Sequence, residues 1–296
     1  MKRVLNVDRP GVFAEHVGAE VLHPLISVIH FDEIAPFPHS MNNYGVYGLF
    51  IQREFPKSLV YGTKTIQASG SSIIAVAPGQ LGGSKEGGNG IALSGWAVLW
   101  SPELLENSSL EKQMKDCEFF SYFFSDSLQI DPAEWQAITQ LASQLRSELQ
   151  QHEDGAPLRS VVQSYLHLIL EYCKRAYLRQ SANGNDGDND ILKRFHTLLE
   201  KYYRDEKQKI HGVPSVAYCA RELAYSPRYF GDLVHKATGG SAIGYIHSFV
   251  INQSKNFLMK GLSIGETAQL LGFSYPHHFT RLFKSVTGLT PSEFMK

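Results

Sequence analysis

The feature that most constrains this chain is a repeat near its end. Ala220-Arg221-Glu222-Leu223-Ala224-Tyr225-Ser226, followed by Phe230, Leu233, Val234, Thr238 and Gly239, aligns with Ala268-Gln269-Leu270-Leu271-Gly272-Phe273-Ser274, followed by Phe279, Leu282, Phe283, Thr287 and Gly288. The offset is 48 residues before the turn and 49 after it, so the second copy has one extra residue in or just after its turn. Self-similarity of this period marks a duplicated supersecondary unit.

Each copy reads as helix, tight turn, helix. In the second, Ser263 and Glu266 have the spacing of a capping box, Ile264, Thr267, Ala268 and Leu271 share one face, and Gly272 supplies a permissive turn backbone. The next helix is predicted to bury Phe279, Leu282, Phe283 and Val286, leaving His277, Thr280, Arg281 and Lys284 outward. In the first copy Ser215 caps a helix with Val216, Cys219, Ala220 and Leu223 inward. Pro227 follows near the start of the second helix, where its missing N–H costs little. The outward residues there are Arg228, Gly231, Asp232, His235 and Lys236.

A helix-turn-helix lays its second helix in the major groove, where Arg pairs with guanine O6 and N7 while Thr, His and Lys reach other edges or phosphates. Two copies predict two successive grooves of double-stranded DNA, with Lys236 and Lys284 neutralising phosphates. The intervening helix, Ser241 to Met259, is ~28 Å long at ~1.5 Å per residue, against ~34 Å between successive grooves.

Charge agrees with a polyanion partner. Residues 1–189 hold 14 Lys and Arg against 21 Asp and Glu, whereas residues 190–296 hold 14 against 8. The net charge of −1 hides this asymmetry. At 296 residues the chain suits two domains, and 43% hydrophobic with 19% charged residues is an ordinary globular balance. Neither the opening residues nor any later run has the apolar length of a signal peptide or a membrane span, so a cytoplasmic protein with no membrane partner is expected. Cys117, Cys173 and Cys219 are too scattered for a metal cluster and read as small buried residues.

Residues 181–190, rich in Gly and Asn and without a large apolar side chain, read as an exposed linker between a domain at 1–180 and one at 191–296. Upstream, over about 21–105, short apolar runs at Tyr44–Phe50, Leu59–Tyr61, Ser72–Ala77 and Trp96–Trp100 read as strands of a β-sandwich or barrel. Helices follow over about 131–179. Asp131-Pro132-Ala133-Glu134 resembles a capping box before Trp135, Ile138, Leu141, Ala142 and Leu145. A second helix, about Leu158 to Leu178, carries Val161, Val162, Tyr165, Leu168, Ile169 and Tyr172, a stripe that suits either packing on its own domain or pairing in a homodimer. The fold class is therefore α+β, with an all-α C-terminal domain.

Over about Val213 to Lys296 the chain resembles the AraC/XylS family of transcription regulators. The likeness rests on the Ala-x-x-Leu-x-x-Ser turn of the first copy, on Ile264, Ala268 and Gly272-Phe273-Ser274, and on His278-Phe279-Thr280-Arg281-Leu282-Phe283-Lys284 with Thr287 through Phe294. It implies base or backbone contacts at Arg228, Gly231 and Asp232 and at Pro276, His277, Thr280 and Arg281. Acidic Asp232 and bare Gly231 offer few phosphate contacts, so the first reading helix is expected to read fewer bases. Ala224 stands where the family often has Gly, and Val250 where the linker helix usually carries Arg. More loosely, residues 72–80 and 95–102 resemble the cupin-like sensor domains attached to such modules, which bind a small-molecule effector or mediate dimerisation.

Tyr47, Trp96 and Trp100 are candidates to line a ligand cavity, or are core. His16, His23, His30 and His39 lack His-x-His spacing, so no metal and no cofactor are expected. The glycine-rich stretch 82–90 lacks the Gly-Lys-Ser/Thr of a phosphate loop and reads as a hairpin loop. Binding rather than catalysis is expected; the alternatives are a metal-free cupin-type enzyme and a ligand sensor acting through protein contacts.

Overall fold

Apolar runs in the first hundred residues pair because each has one face to hide, and alternation along a strand sends successive side chains to opposite faces. A computed structural model describes residues 4–56, 59–61, 64–65, 70–84, 90–114, 117–120, 127–151, 156–183, 186–238, 240–259, 261–287 and 289–295. The chain divides into two compact units at Gln180 and Ser181.

In the N-terminal unit the strands are β1 (Val4–Val7), β2 (Ile26–His30), β3 (Met41–Tyr44), β4 (Tyr47–Gln52), β5 (Leu59–Tyr61), β6 (Lys64–Thr65), β7 (Ser72–Val76), β8 (Gln80–Ser84), β9 (Trp96–Trp100) and β10 (Leu128–Gln129). They form two sheets, β1-β3-β8-β5-β6 and β10-β7-β4-β9-β2. β1 and β3 are parallel, and the remaining pairs are antiparallel. The helices are α1 (Pro10–Val17), α2 (Ser109–Met114), α3 (Pro132–Gln151) and α4 (Ala156–Asn183).

Two cores result. One face of the second sheet gives Ile29, Phe50, Ala97 and Leu99 to a cluster with Val7, Phe13 and Tyr44. Its other face gives Leu49, Ile51, Trp96, Val98 and Trp100 to a cluster with Ile138, Ala142 and Leu145 of α3 and Val162, Leu166 and Ile169 of α4. The capping box expected at the start of α3 forms: Glu134 N donates to Asp131 Oδ1 at 2.8 Å, and Asp131 N to Glu134 Oε2 at 3.0 Å.

Three local expectations are corrected. The run from Tyr44 to Phe50 is two strands with a turn at Gly45 and Val46, because Gly45 lets the chain pass close to Val7 and Asp8, where a Cβ would meet the Asp8 Cα at 3.2 Å. The segment read as a linker is helical at 181–183 and again from 186, with 184 and 185 outside the described residues. Asp and Asn are favoured at helix starts, so this polar composition suits a helix end as well as a loop. Gly82, Gly83 and Ser84 of the expected hairpin loop belong to β8, and residues 85–89 lie outside the described residues.

Among the described residues the regular elements of the C-terminal unit are all helices: α5 (Asp186–Arg204), α6 (Gln208–His211), α7 (Val216–Glu222), α8 (Pro227–Thr238), α9 (Ala242–Met259), α10 (Ile264–Leu270), α11 (Pro276–Thr287) and α12 (Pro291–Phe294). Phe195 of α5 ties three helices together, edge-on to Phe230 of α8 at 4.8 Å and stacked on Tyr245 of α9 at 4.6 Å.

Candidate nucleic-acid interface

The two turns are built alike. Ser215 accepts from Tyr218 N to start α7, and Ser263 with Glu266 closes a full capping box at the start of α10. Both helices end in the same pair of backbone bonds: Ala224 N to Arg221 O and Tyr225 N to Ala220 O in the first copy, Gly272 N to Gln269 O and Phe273 N to Ala268 O in the second. The residue at the bend is left-handed in each, with φ 63° at Ala224 and 86° at Gly272. That geometry satisfies the last carbonyls of a helix while reversing the chain.

Packing then turns one face of each following helix outward. Phe230 and Val234 of α8, and Phe279 and Phe283 of α11, are wholly buried. Opposite them, Arg228, Asp232, His235 and Lys236 of α8 are exposed and Gly231 is half-buried. On α11 Pro276, His277, Arg281 and Lys284 are exposed, while half-buried Thr280 donates its hydroxyl to Pro276 O at 3.0 Å. The residues expected to contact DNA thus fall on one face of each helix.

Sequence reasoning missed the braces behind the turns. Arg194 of α5 reaches Leu223 O and the Tyr225 hydroxyl. In the second copy Tyr203 of α5 donates to Leu271 O at 3.3 Å, and Gln208 of α6 to Leu270 O at 3.2 Å. Exposed aromatics were also missed: Tyr229 on α8, and Tyr275, which stacks on His277 at 5.5 Å and meets His278 edge-on. The signal for Tyr275 was available, since it is the residue by which the second copy exceeds the first.

Val250, where the resemblance led to an expectation of Arg, is fully buried on α9 as a core residue. Lys255, also on α9, is buried, and burial pushes its amine down to about 7.

Tyr47, Trp96 and Trp100 lie together on the helix-facing side of the second sheet. Tyr47 and Trp100 stack at 6.0 Å, and Trp96 stacks on His30 at 4.2 Å. A cavity does exist in the unit, on the opposite side of that sheet, and none of the three lines it.

Residues 219–296 match the family model described as a helix-turn-helix domain. Two curated relatives from Bacillus subtilis (strain 168) are similar. The uncharacterized transcriptional regulatory protein YesN is 30% identical over 86 residues, 28% of this chain and 23% of YesN. The uncharacterized helix-turn-helix-type regulator YobQ is 30% identical over 110 residues, 32% of this chain and 45% of YobQ. The chain therefore spans less than half of either relative it matches. Among solved structures, ToxT from Vibrio cholerae overlaps 91% of this chain and 96% of its own at 15% identity and a TM-score of 0.45, too low to bear on function.

Proposed function

We propose that this chain, whose residues 219–296 are a helix-turn-helix domain of the AraC type, is a DNA-binding transcription regulator that reads two adjacent major grooves with α8 and α11. One observation carries the reading. The helices α8 and α11, each fixed by a capped partner, a left-handed turn and a brace from α5, present polar and basic residues on the face away from their buried phenylalanines. A groove-reading helix needs that arrangement: rigid behind, hydrogen-bonding in front.

Arg228 and Arg281 are the residues suited to guanine, and Lys236 and Lys284 to phosphates. Gly231, Asp232, Pro276, His277 and Thr280 complete the two reading faces. α9, 18 residues and ~27 Å long, separates the two helix-turn-helix copies. The N-terminal unit is read as a cupin-like domain that modulates the module through a small-molecule effector or by dimerisation. Val161, Leu168 and Leu178, exposed along α4, suit pairing with a second copy. No described helix is long and apolar enough to cross a membrane, in keeping with a cytoplasmic place of action. The action is binding, not catalysis.

Selection of the purified chain on random duplexes at two salt concentrations tests this. Enrichment of two half-motifs about one helical turn apart, with affinity falling as salt rises, is the expected result. Enrichment of nothing at either salt overturns it.

A further inference from the structure

Between the two sheets of the N-terminal unit lies a partly open cavity. Phe13, Phe37, Phe50 and Phe55 supply much of its wall. No described lining residue is charged.

The polar side chains on the wall have side-chain partners, with one exception. Ser40 Oγ donates to Asn42 Oδ1 at 2.7 Å, Asn42 Nδ2 donates to the Tyr44 hydroxyl at 3.1 Å, and Ser84 Oγ is bonded to His39 Nδ1 at 2.7 Å. Burial raises the Tyr44 phenol, so it stays neutral. Gln52 is the exception. It is wholly buried at the end of β4, on the same side of the sheet as Phe50, and neither Oε1 nor Nε2 has a hydrogen-bond partner among the described residues. Buried carboxamides are nearly always satisfied, and a Leu or Met of similar volume would pack here with nothing left open. An ionised ligand would enter this wall without a counter-charge, a costly transfer.

We propose that the cavity binds an uncharged, largely apolar small molecule that presents a donor and an acceptor side by side, as an amide does, to the carboxamide of Gln52. This deepens the reading of the N-terminal unit as an effector-binding domain and rests on it.

Three probes of equal chain length and different head group test it on the full chain: octanamide, octanoate and octylamine, measured by calorimetric titration and thermal shift. Octanamide is expected to bind at least about tenfold more tightly than either charged probe. Gln52→Leu is expected to lose about that factor for octanamide while melting no lower than the parent, because it removes the open amide; the unchanged melting temperature separates a lost contact from a lost fold. Gln52→Glu is expected to move the preference to octylamine. Equal binding of octanoate and octanamide, unchanged octanamide binding by Gln52→Leu, or binding of none of the three overturns the proposal. These readouts need no DNA. A chain that binds octanamide but selects no duplex overturns the regulator reading alone; one that selects duplexes and binds no probe overturns the cavity assignment alone.

Discussion

Ala224 and Gly272 occupy the same place in the two helix-turn-helix copies and share a left-handed backbone, with φ 63° and 86°, although only one of them is glycine. A Cβ in that region costs roughly 1–2 kcal/mol. Ala224 therefore carries strain that Gly272 avoids. Ala224→Gly is expected to stabilise the C-terminal unit by up to about 1 kcal/mol, part of the gain being offset by the freer unfolded chain. Gly272→Ala is expected to destabilise it by more than the roughly 1–2 kcal/mol of backbone strain, because the added Cβ would also lie 2.7 Å from Gln208 O and 2.9 Å from Gly212 C. Urea midpoints of the two variants moving in the same direction would contradict the shared geometry.

Arg281 and Lys284 are both exposed on α11 but are assigned different tasks. Arg281→Ala is expected to cost about 1–3 kcal/mol at a selected site and to relax preference at one base pair. Lys284→Ala should weaken all duplexes alike and lower the slope of log affinity against log salt by about 1. Anisotropy titrations at three salt concentrations separate the two; matching profiles for both variants would remove the division.

Lys255 gives the C-terminal unit a pH dependence of known sign. Its amine titrates near 10.4 in an unfolded chain, and burial lowers it to about 7 in the fold. Between those values the unfolded state binds more protons, so this residue makes stability rise as pH climbs from 7 toward 10 and leaves it at the lower level below 7. Lys255→Met should be more stable than the parent at pH 7.5, by an amount on the order of 1 kcal/mol or more, and should flatten that rise. A parent and variant with parallel stability curves from pH 7 to 10 would exclude the effect.

Glu134 joins α3 to α4. Its carboxylate is fully buried and accepts 2.6 and 2.8 Å hydrogen bonds from Arg179 and one of 3.2 Å from Arg175. Burial pushes its pKa up, but the arginine and Asp131 backbone hydrogen bonds outweigh this and hold it below the usual carboxylate value. The stabilisation is present above the unfolded value of about 4.3 and is lost as pH falls through the depressed folded one. Glu134→Gln should cost about 1–3 kcal/mol at pH 7 and remove this group's share of acid unfolding, as followed by circular dichroism.

Much of the C-terminal unit was legible because its determinants are local. Ser215, Ser263 and Glu266 announce helix starts within four residues of the bonds they make, and Phe279 and Phe283 fall on one face by helical period alone. A permissive turn backbone was readable at Gly272, whereas the left-handed backbone at Ala224 came from the structure. Less could be read in the N-terminal unit. Tyr47, Trp96 and Trp100 read as either cavity lining or core, because aromatic strands offer ring surface on whichever side they face, and only pairing decides the side. Once Tyr47 opposes Trp100 and Phe50 opposes Ala97, Tyr47, Trp96 and Trp100 fall on the helix side, and Phe50 and Gln52 on the other.

The amino-acid sequence by itself determined the duplicated helix-turn-helix, the caps that bound its helices and the residues that α8 and α11 expose, since each follows from neighbours within a turn or two. Tertiary structure alone decided the parallel pairing of β1 with β3, the braces from Arg194 and Tyr203, the burial of Lys255 and the open carboxamide of Gln52. Those depend on which distant segments meet, and a strand whose faces alternate every residue carries no local mark of the side that will be covered.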